Sequence, residues 1–259
     1  MHPKTHMITY VFLGLVGLIV GSMNAIAGGG ILIGFPLMIA FGVPPLVANA
    51  TANMITPGGQ IASAFAYRRY LRKVPKFYAL LLIPVAVGSA AGALLLRATS
   101  AEHFVRMVPE LILFAIVLFA LQPFLHFHLN RHIHSKARHW LPFILIALAL
   151  LPVSVYGGYF GAGYGFIMLA FLGFTKIHEM HQMNAMKNVA NIVVAGVSLL
   201  CLWTAHLVDW RVGVAMGIGT TIGGYVGARL SQKVSSHALR IAVIIIGLVA
   251  TVYLALRHY

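Results

Sequence analysis

Long apolar runs recur along this 259-residue chain and constrain its fold more than any other feature. Several are long enough to cross a hydrocarbon layer, which takes about 20 helical residues. They are continuous rather than alternating, and this favours helices over a β-barrel. With 60% hydrophobic and only 8% charged residues, the chain is predicted to be an all-α polytopic membrane protein. The runs cover roughly residues 8–41, 77–96, 104–125, 140–174, 189–205, 212–228 and 238–256.

The two halves of the sequence resemble each other. Gly28 and Gly30 recur as Gly161 and Gly163, and the segment GSAAGA at 88–93 recurs as GGYVGA at 223–228. Such self-similarity predicts two homologous repeats within a single membrane domain. The first repeat is predicted over residues 1–126 and the second over residues 140–259. A basic, histidine-rich linker, FHLNRHIHSKARH, would join them over residues 127–139.

Each repeat begins with an apolar run that glycines interrupt. Glycine triplets are poor helix interiors, so we expect a broken first helix in each half, hinged at residues 28–30 and 161–163. The result is about four full helices per repeat and 8 to 10 transmembrane elements. Ten elements would place the second repeat upside down, with both termini outside. The positive-inside rule favours this inverted arrangement, because it collects more Lys and Arg on the inner side than eight spans with parallel repeats.

A polar stripe follows one helix face in each half. Polar groups within a bilayer are costly unless they face protein or water, so the stripes are predicted to line a path. The alternative is that their side chains only join helices by hydrogen bonds. The first stripe is Asn49, Asn53, Thr56, Gln60 and Ser63, and the second is Asn184, Asn188, Asn191 and Ser198, with Ala195 in place of Gln60.

The residues available at hinges and stripes suit an anion. Backbone N–H groups at helix ends, together with amides and hydroxyls, can donate to an oxyanion, and Lys187 would add one positive charge. The alternative for Lys187 is snorkelling to the membrane surface. For the glycines the alternative is close helix packing, which we prefer for Gly88, Gly92, Gly223 and Gly227. The candidate substrate-binding residues are Gly28, Gly29, Gly30, Asn49, Thr51, Asn53, Thr56, Gln60, Gly161, Gly163, Asn184, Lys187, Asn188 and Asn191.

Other functional classes find less support. The net charge of +14 lies mostly between apolar runs, so no nucleic-acid partner is expected. Glu110 is expected to pair with Arg106, and no intramembrane pair of carboxylates suggests a cation site. The lone Cys201 allows no internal disulfide. No catalytic group, cofactor motif or nucleotide loop is apparent, and the linker histidines are more typical of a solvated loop than of a metal site.

In the order and duplication of its motifs, the chain resembles the TauE/SafE family, also called the sulfite exporter or toluene sulfonate uptake permease family. The matching segments are AIAGGGILIGFPLMIAFGVPPLVANAT, GGYFGAGYGFIMLAFLGF, HQMNAMKNVANIV, HLVDWRVG and GGYVGARL. The family's asparagine and lysine signature falls on Asn184, Lys187 and Asn188. One departure is that the second glycine triplet reads Gly161, Ala162, Gly163.

This resemblance implies a permease for small sulfur-containing anions, such as sulfite or sulfoacetate, that works mainly by export across the bacterial inner membrane. The expected partners are the anionic substrate and the lipid bilayer, with a homodimer as one option for the oligomeric state. Two rivals stay open: a metal-ion transporter that uses the linker histidines, and a membrane scaffold that transports nothing.

Overall fold

The computed structural model describes residues 3–26, 28–130, 140–175, 177 and 179–231. All regular elements in these ranges are helical, as predicted, and two 3-10 segments, Lys76–Leu81 and Trp203–Ala205, accompany the α-helices. The predicted element at 238–256 lies outside the described residues. The α-helices are α1 (Pro3–Ile26), α2 (Ile31–Ala40), α3 (Pro45–Ala66), α4 (Arg68–Leu71), α5 (Leu82–Ala98), α6 (Ala101–Asn130), α7 (Trp140–Tyr159), α8 (Tyr164–Leu172), α9 (Met180–Leu202) and α10 (Trp210–Leu230).

Both glycine segments break a helix, which confirms the predicted hinges. α1 and α2 are separated by residues 27–30, and α7 and α8 are separated by residues 160–163. Gly28, Gly161 and Gly163 have φ values of 90°, 75° and 79°. This left-handed conformation is open to glycine and strained for residues with a Cβ. The chain can therefore reverse within each hinge.

The helices present an apolar exterior that suits contact with lipid. Three segments in the described part of the chain are long and apolar enough to span a membrane, namely Thr9–Ile26, Lys76–Ala98 and Met180–Ala205. The side chains of Leu200, Ile83 and Ile218 are 75%, 61% and 61% exposed. An apolar surface of this extent would be unfavourable in water, whereas hydrocarbon covers it without cost.

The first helix of each half packs against a helix of the other half. α1 lies parallel to α10, and α5 lies parallel to α7. A Cβ on any of four glycines would overlap the main chain of the facing helix, so the prediction that these glycines serve packing is confirmed. Gly223 and Gly227 face Leu18 and Ser22, while Gly88 and Gly92 face Leu151 and Val155, which are the matching positions if the predicted repeats are superposed.

The two helices that carry the polar stripes are in contact and run in opposite directions. Near the start of α3, the hydroxyl of Thr51 accepts a hydrogen bond from the N–H of Asp209, which follows α9, at 2.9 Å. Beyond the end of α3, the ring of Tyr70 lies 4.8 Å from the ring of His181 at the start of α9. The stripes of α3 and α9 are therefore antiparallel at the centre of the fold.

The start and end of α6 bear on two local predictions. Residues 127–130 of the predicted linker belong to α6, and its remainder at 131–139 lies outside the described residues, so the linker stays a prediction. The predicted pairing of Arg106 with Glu110 was wrong. Arg106 pairs with Glu102 at 2.6 Å rather than with Glu110. Both spacings are one helical turn, and the exposed first turn of α6 leaves the Glu102 side chain free to turn toward the guanidinium.

Candidate functional site

A narrow cavity of about 40 Å³ lies where the two hinges meet the two stripes. Because one water molecule needs about 10–15 Å³ of such a cavity, there is room for about three waters or one small ion. Helices from both halves form its wall. The lining residues are Asn24, Gly28, Ile31, Ala52, Asn53, Thr56, Gln60, Gly157, Phe160, Gly161, Tyr164, Gly165, Asn191, Val194 and Ala195.

Some of the predicted site residues share this wall and others do not. The structure brings together residues from both hinges and both stripes: Gly28, Asn53, Thr56, Gln60, Gly161 and Asn191. The other predicted residues lie outside the wall: Gly29, Gly30, Asn49, Thr51, Gly163, Asn184, Lys187 and Asn188.

The two hinges touch each other at the cavity. A Cβ on Gly28 would stand 3.1 Å from the carbonyl carbon of Gly165, and a Cβ on Gly165 would stand 3.0 Å from the Cα of Gly28. Gly165 belongs to the first turn of α8, where the dipole is positive, and the N–H groups of Tyr164 and Phe166 beside it donate to the carbonyls of Gly161 and Gly163 at 3.1 and 3.0 Å. The contact thus brings an electropositive helix end to the cavity wall.

Neutral carboxamides complete the polar part of the wall. Gln60 is 2% exposed, and its Oε1 atom has no hydrogen-bond partner in the described structure. Asn53 is 9% exposed, and Asn191 faces the same space from α9. Thr56 instead donates to the carbonyl of Ala52 within its own helix, at 3.0 Å. Among the described residues, none that lines the wall carries a charge, so helix dipoles and amide groups dominate the electrostatics that these residues provide.

Lys187 holds the end of α1 rather than lining the cavity. The residue is 0% exposed, so the snorkelling alternative is wrong. Its Nζ donates to the main-chain oxygen of Asn24 at 3.0 Å and to Oδ1 of Asn184 at 3.1 Å, and it lies 3.5 Å from the oxygen of Ala25. Carbonyls in the last turn of a helix lack intrahelical donors and carry the negative end of the dipole, so a buried cation is stabilised there.

The first half contains a matching contact made by a neutral residue. Asn49 is equivalent to Asn184 in the repeat, and its Nδ2 donates to the carbonyl of Tyr159, the last residue of α7, at 2.8 Å. Near the start of each stripe, one residue therefore binds the broken helix of the other half: Asn49 in α3, and Lys187, beside the stripe, in α9. These contacts support the hinges. Among the stripe positions that follow, Asn53, Thr56, Gln60 and Asn191 reach the cavity.

Asn24 is the main site residue that sequence reasoning missed. Its Oδ1 accepts from the N–H of Gly30 at 2.7 Å, its main-chain oxygen accepts from Lys187, and it lines the cavity. The equivalent residue in the second repeat is Gly157, so the duplication carried no signal there. A lone asparagine within the apolar run of α1 was the signal that could have identified it.

The remaining predicted residues have other surroundings. Thr51 binds the start of α10 through Asp209, and Gly163 packs against Ala115 of α6. Asn188 is 0% exposed, and neither of its side-chain amide atoms has a partner in the described structure. No group of three or more metal-ligating residues occurs among the described residues, and His132, His134 and His139 of the linker lie outside them.

Comparison with known proteins gives a family match along most of the chain. The family model described as Sulfite exporter TauE/SafE matches residues 13–254. A probable membrane transporter protein of Haemophilus influenzae is 28% identical over 91% of this chain and 90% of its own length. The probable membrane transporter protein YfcA of Escherichia coli K12 is 30% identical over 94% and 89%, and ORF9 of Sinorhizobium sp. is 27% identical over 96% and 92%. No solved structure matches.

Proposed function

Because the chain belongs to the sulfite exporter TauE/SafE family of membrane transporters, we propose that it is a permease that moves sulfite or a similarly small sulfur oxyanion through the cavity between its hinges. The observation that carries this proposal is the composition of the cavity wall. It joins the start of α8 to amides of both stripes and contains no carboxylate. An oxyanion accepts hydrogen bonds from N–H groups of this kind, whereas a divalent cation would find only neutral amide and main-chain oxygens there.

Cavity size supports the smaller members of the substrate class. A volume of about 40 Å³ suits an ion with a few heavy atoms. Organosulfonates such as sulfoacetate carry an additional carbon chain and would require the hinges to separate. We therefore rank sulfite above organosulfonates as the substrate.

The chain packing supports an inverted repeat. The equivalent helices α3 and α9 are antiparallel, and the pairing of α1 with α10 has its counterpart in the pairing of α7 with α5. Two repeats related by a two-fold axis in the membrane plane would produce this arrangement. The cavity then lies close to that axis, where each half can open toward one side of the bacterial inner membrane.

Export would follow from the membrane potential without a coupled ion. An inside-negative potential drives an anion outward with about 2.3 kcal/mol per charge per 100 mV. Reconstituted protein should then move sulfite when only a potassium diffusion potential is imposed. Movement that requires a pH gradient would contradict uncoupled export while leaving the anion site intact.

The direct test is a flux panel in proteoliposomes containing sulfite, sulfate, sulfoacetate and acetate. Sulfite should move fastest. Asn53→Leu and Gln60→Leu should each slow it about tenfold or more, because a hydrogen bond to a charged group contributes roughly 1.5–3 kcal/mol. Ile61→Leu on the exposed face of α3 is the matched control and should keep full flux. Acetate flux equal to sulfite flux, or wild-type flux in both cavity variants, would refute the proposal.

A further inference from the structure

A second polar pocket lies at the ends of α3 and α10, away from the cavity. It has a volume of about 180 Å³ and is lined by Ala66, Arg68, Arg69, Tyr70 and Arg229. Arg68 and Arg69 lie in α4, within a segment with five basic residues at 68–76 that the positive-inside rule assigns to the inner side of the membrane. Arg229 comes from a position some 160 residues further along the chain. The rule explains why basic residues accumulate on this side, but it does not explain why distant ones line the same pocket.

The three arginines have no anionic partner in the described part of the chain. The only ion pair there joins Arg106 to Glu102, and none of the four acidic residues lines the pocket. Like charges gathered in this way repel one another unless an anion lies between them. Guanidinium groups present several N–H donors in a planar fork that matches a phosphate group.

The same groups are already oriented by contacts at one edge. The Nη1 of Arg68 donates to the carbonyl of Phe65 at 3.1 Å, and the Nη2 of Arg229 donates to the hydroxyl of Tyr225 at 2.8 Å. Each guanidinium also lies over the ring of that same neighbour, at 4.3 and 5.3 Å from the centroid. Most of their N–H groups stay available, and less side-chain freedom is lost when a ligand binds.

The surroundings of the pocket point to a lipid. Next to the arginines, α3 and α10 expose large apolar side chains, with Phe65 57%, Ile61 55% and Leu230 49% exposed. A phosphate in the pocket could therefore continue into acyl chains that lie along these two helices. Basic pockets between helices on the cytoplasmic side are well suited to anionic headgroups.

We propose that Arg68, Arg69 and Arg229 form a binding site for the phosphate of an anionic phospholipid at the inner surface of the membrane. The site is carried by α4, which directly follows α3, and by α10. Both adjoin the transport path, since α3 lines the cavity and α10 packs against α3 and α1. A bound lipid would hold the end of α10 to the segment that follows α3. The site is independent of the identity of the transported anion.

The test measures lipid binding by the purified full-length protein in neutral detergent micelles. Three probes are compared at equal phosphate concentration, namely phosphatidylglycerol, phosphatidylcholine and inorganic phosphate. The pocket variant is Arg69→Gln with Arg229→Gln. The matched control is Arg72→Gln with Lys76→Gln, which removes the same charge from the same side of the protein without touching the pocket lining.

We expect phosphatidylglycerol to bind and to raise the melting temperature, with phosphatidylcholine at least tenfold weaker. The pocket variant should bind phosphatidylglycerol about 30-fold more weakly, since each basic residue near an anionic headgroup contributes about 1 kcal/mol. The control pair should change binding by less than about threefold. Equal losses in the two variants would indicate only diffuse charge attraction. Inorganic phosphate binding as tightly as the lipid would make this a soluble phosphate site, and either outcome overturns the lipid proposal.

Discussion

The ends of the two broken helices, α1 and α7, show how differently two related halves solve the same problem. Each helix ends within the protein, where its last carbonyls cannot reach water. In the first half of α3 the neutral Asn49 donates one hydrogen bond to the end of α7. In α9 the fully buried Lys187 donates to the end of α1 with Asn184 as a second acceptor. A charge is thus used at one hinge and an amide at the other.

The difference follows from the residues that each hinge presents. α1 ends with Asn24, whose side chain turns back to bind Gly30, and its main-chain oxygen is left for the ammonium group. α7 has Gly157 at the equivalent position, where the ring of Tyr164 fills the space. The stripes also differ, because the cavity is lined by Gln60 from the first stripe and by Ala195, which takes the place of Gln60, from the second. One asymmetric site is built from two similar halves.

Removing the charged support should have the largest effect. Lys187→Met keeps the side-chain length and deletes the ammonium group, leaving the carbonyl of Asn24 and Oδ1 of Asn184 without donors. We expect the free energy of unfolding to fall by about 3 kcal/mol, because buried hydrogen bonds to charged groups contribute roughly 1.5–3 kcal/mol each. This change in unfolding free energy is measured by denaturing the protein in mild detergent and monitoring its helix content. If the variant kept wild-type stability and lost only anion binding, Lys187 would instead be a substrate-binding residue.

Removing the hydrogen bond that the neutral Asn49 donates should lower the free energy of unfolding by a smaller amount. Asn49→Leu deletes the donor to Tyr159, and the same change deletes a buried Oδ1 atom that has no partner. Losing the hydrogen bond destabilises the fold, whereas removing the unpaired buried oxygen stabilises it. We therefore expect the free energy of unfolding to fall by only about 1 kcal/mol. The comparison of the two hinges fails if Asn49→Leu proves as damaging as Lys187→Met in the same denaturation assay.

A glycine in the hinge can be compared with one outside it. Gly28 and Gly42 both have positive φ, 90° and 87°, but only Gly28 has another backbone beside it. Gly42→Ala should lower the free energy of unfolding by about 1 kcal/mol, because alanine is strained in this backbone conformation. Gly28→Ala should cost slightly more and should also reduce sulfite flux, because its Cβ would push the two hinges apart. Equal flux in the two variants would show that hinge contact is not required for transport.

The smallest change in stability is expected at Asn188. Both of its buried amide atoms lack partners, so Asn188→Leu removes a desolvation penalty and should be neutral or stabilising within about 1 kcal/mol. Asn53→Leu, at the equivalent position of the first stripe, is the reference for transport. We expect Asn53→Leu to lose sulfite flux and Asn188→Leu to retain it. If Asn188→Leu also abolished transport, both stripes would contact the substrate at this level.

Much of the architecture could be predicted from the sequence because it rests on local chemistry. Glycine runs within apolar segments locate both hinges, since glycine readily adopts the positive φ found at Gly28, Gly161 and Gly163 and other residues do not. The duplicated small residues Gly88 and Gly223 also indicate close helix packing without any structure. The stripe on α3 identified Asn53, Thr56 and Gln60 as neighbours in space, because helical periodicity alone brings them to one face.

The hydrogen-bond partner of each polar side chain could not be predicted from the sequence. The amine of Lys187 donates hydrogen bonds wherever it lies, and periodicity cannot distinguish a substrate from the end of another helix as its partner. The pairing of Glu102 rather than Glu110 with Arg106 was missed for a similar reason, since both lie one turn away. Asn24 lacked a counterpart in the second repeat and so gave no signal through duplication.

By itself, the sequence determined the all-helical membrane class, the two broken helices and the faces on which polar residues lie, because hydropathy, glycine conformation and helical period act over a few residues. Only the tertiary structure decided that Lys187 and Asn49 bind the ends of opposite helices, that Gly28 meets Gly165, and that Asn24 joins the cavity wall. These contacts join residues up to 163 positions apart. Where such distant groups meet depends on how the helices cross, which no local pattern encodes.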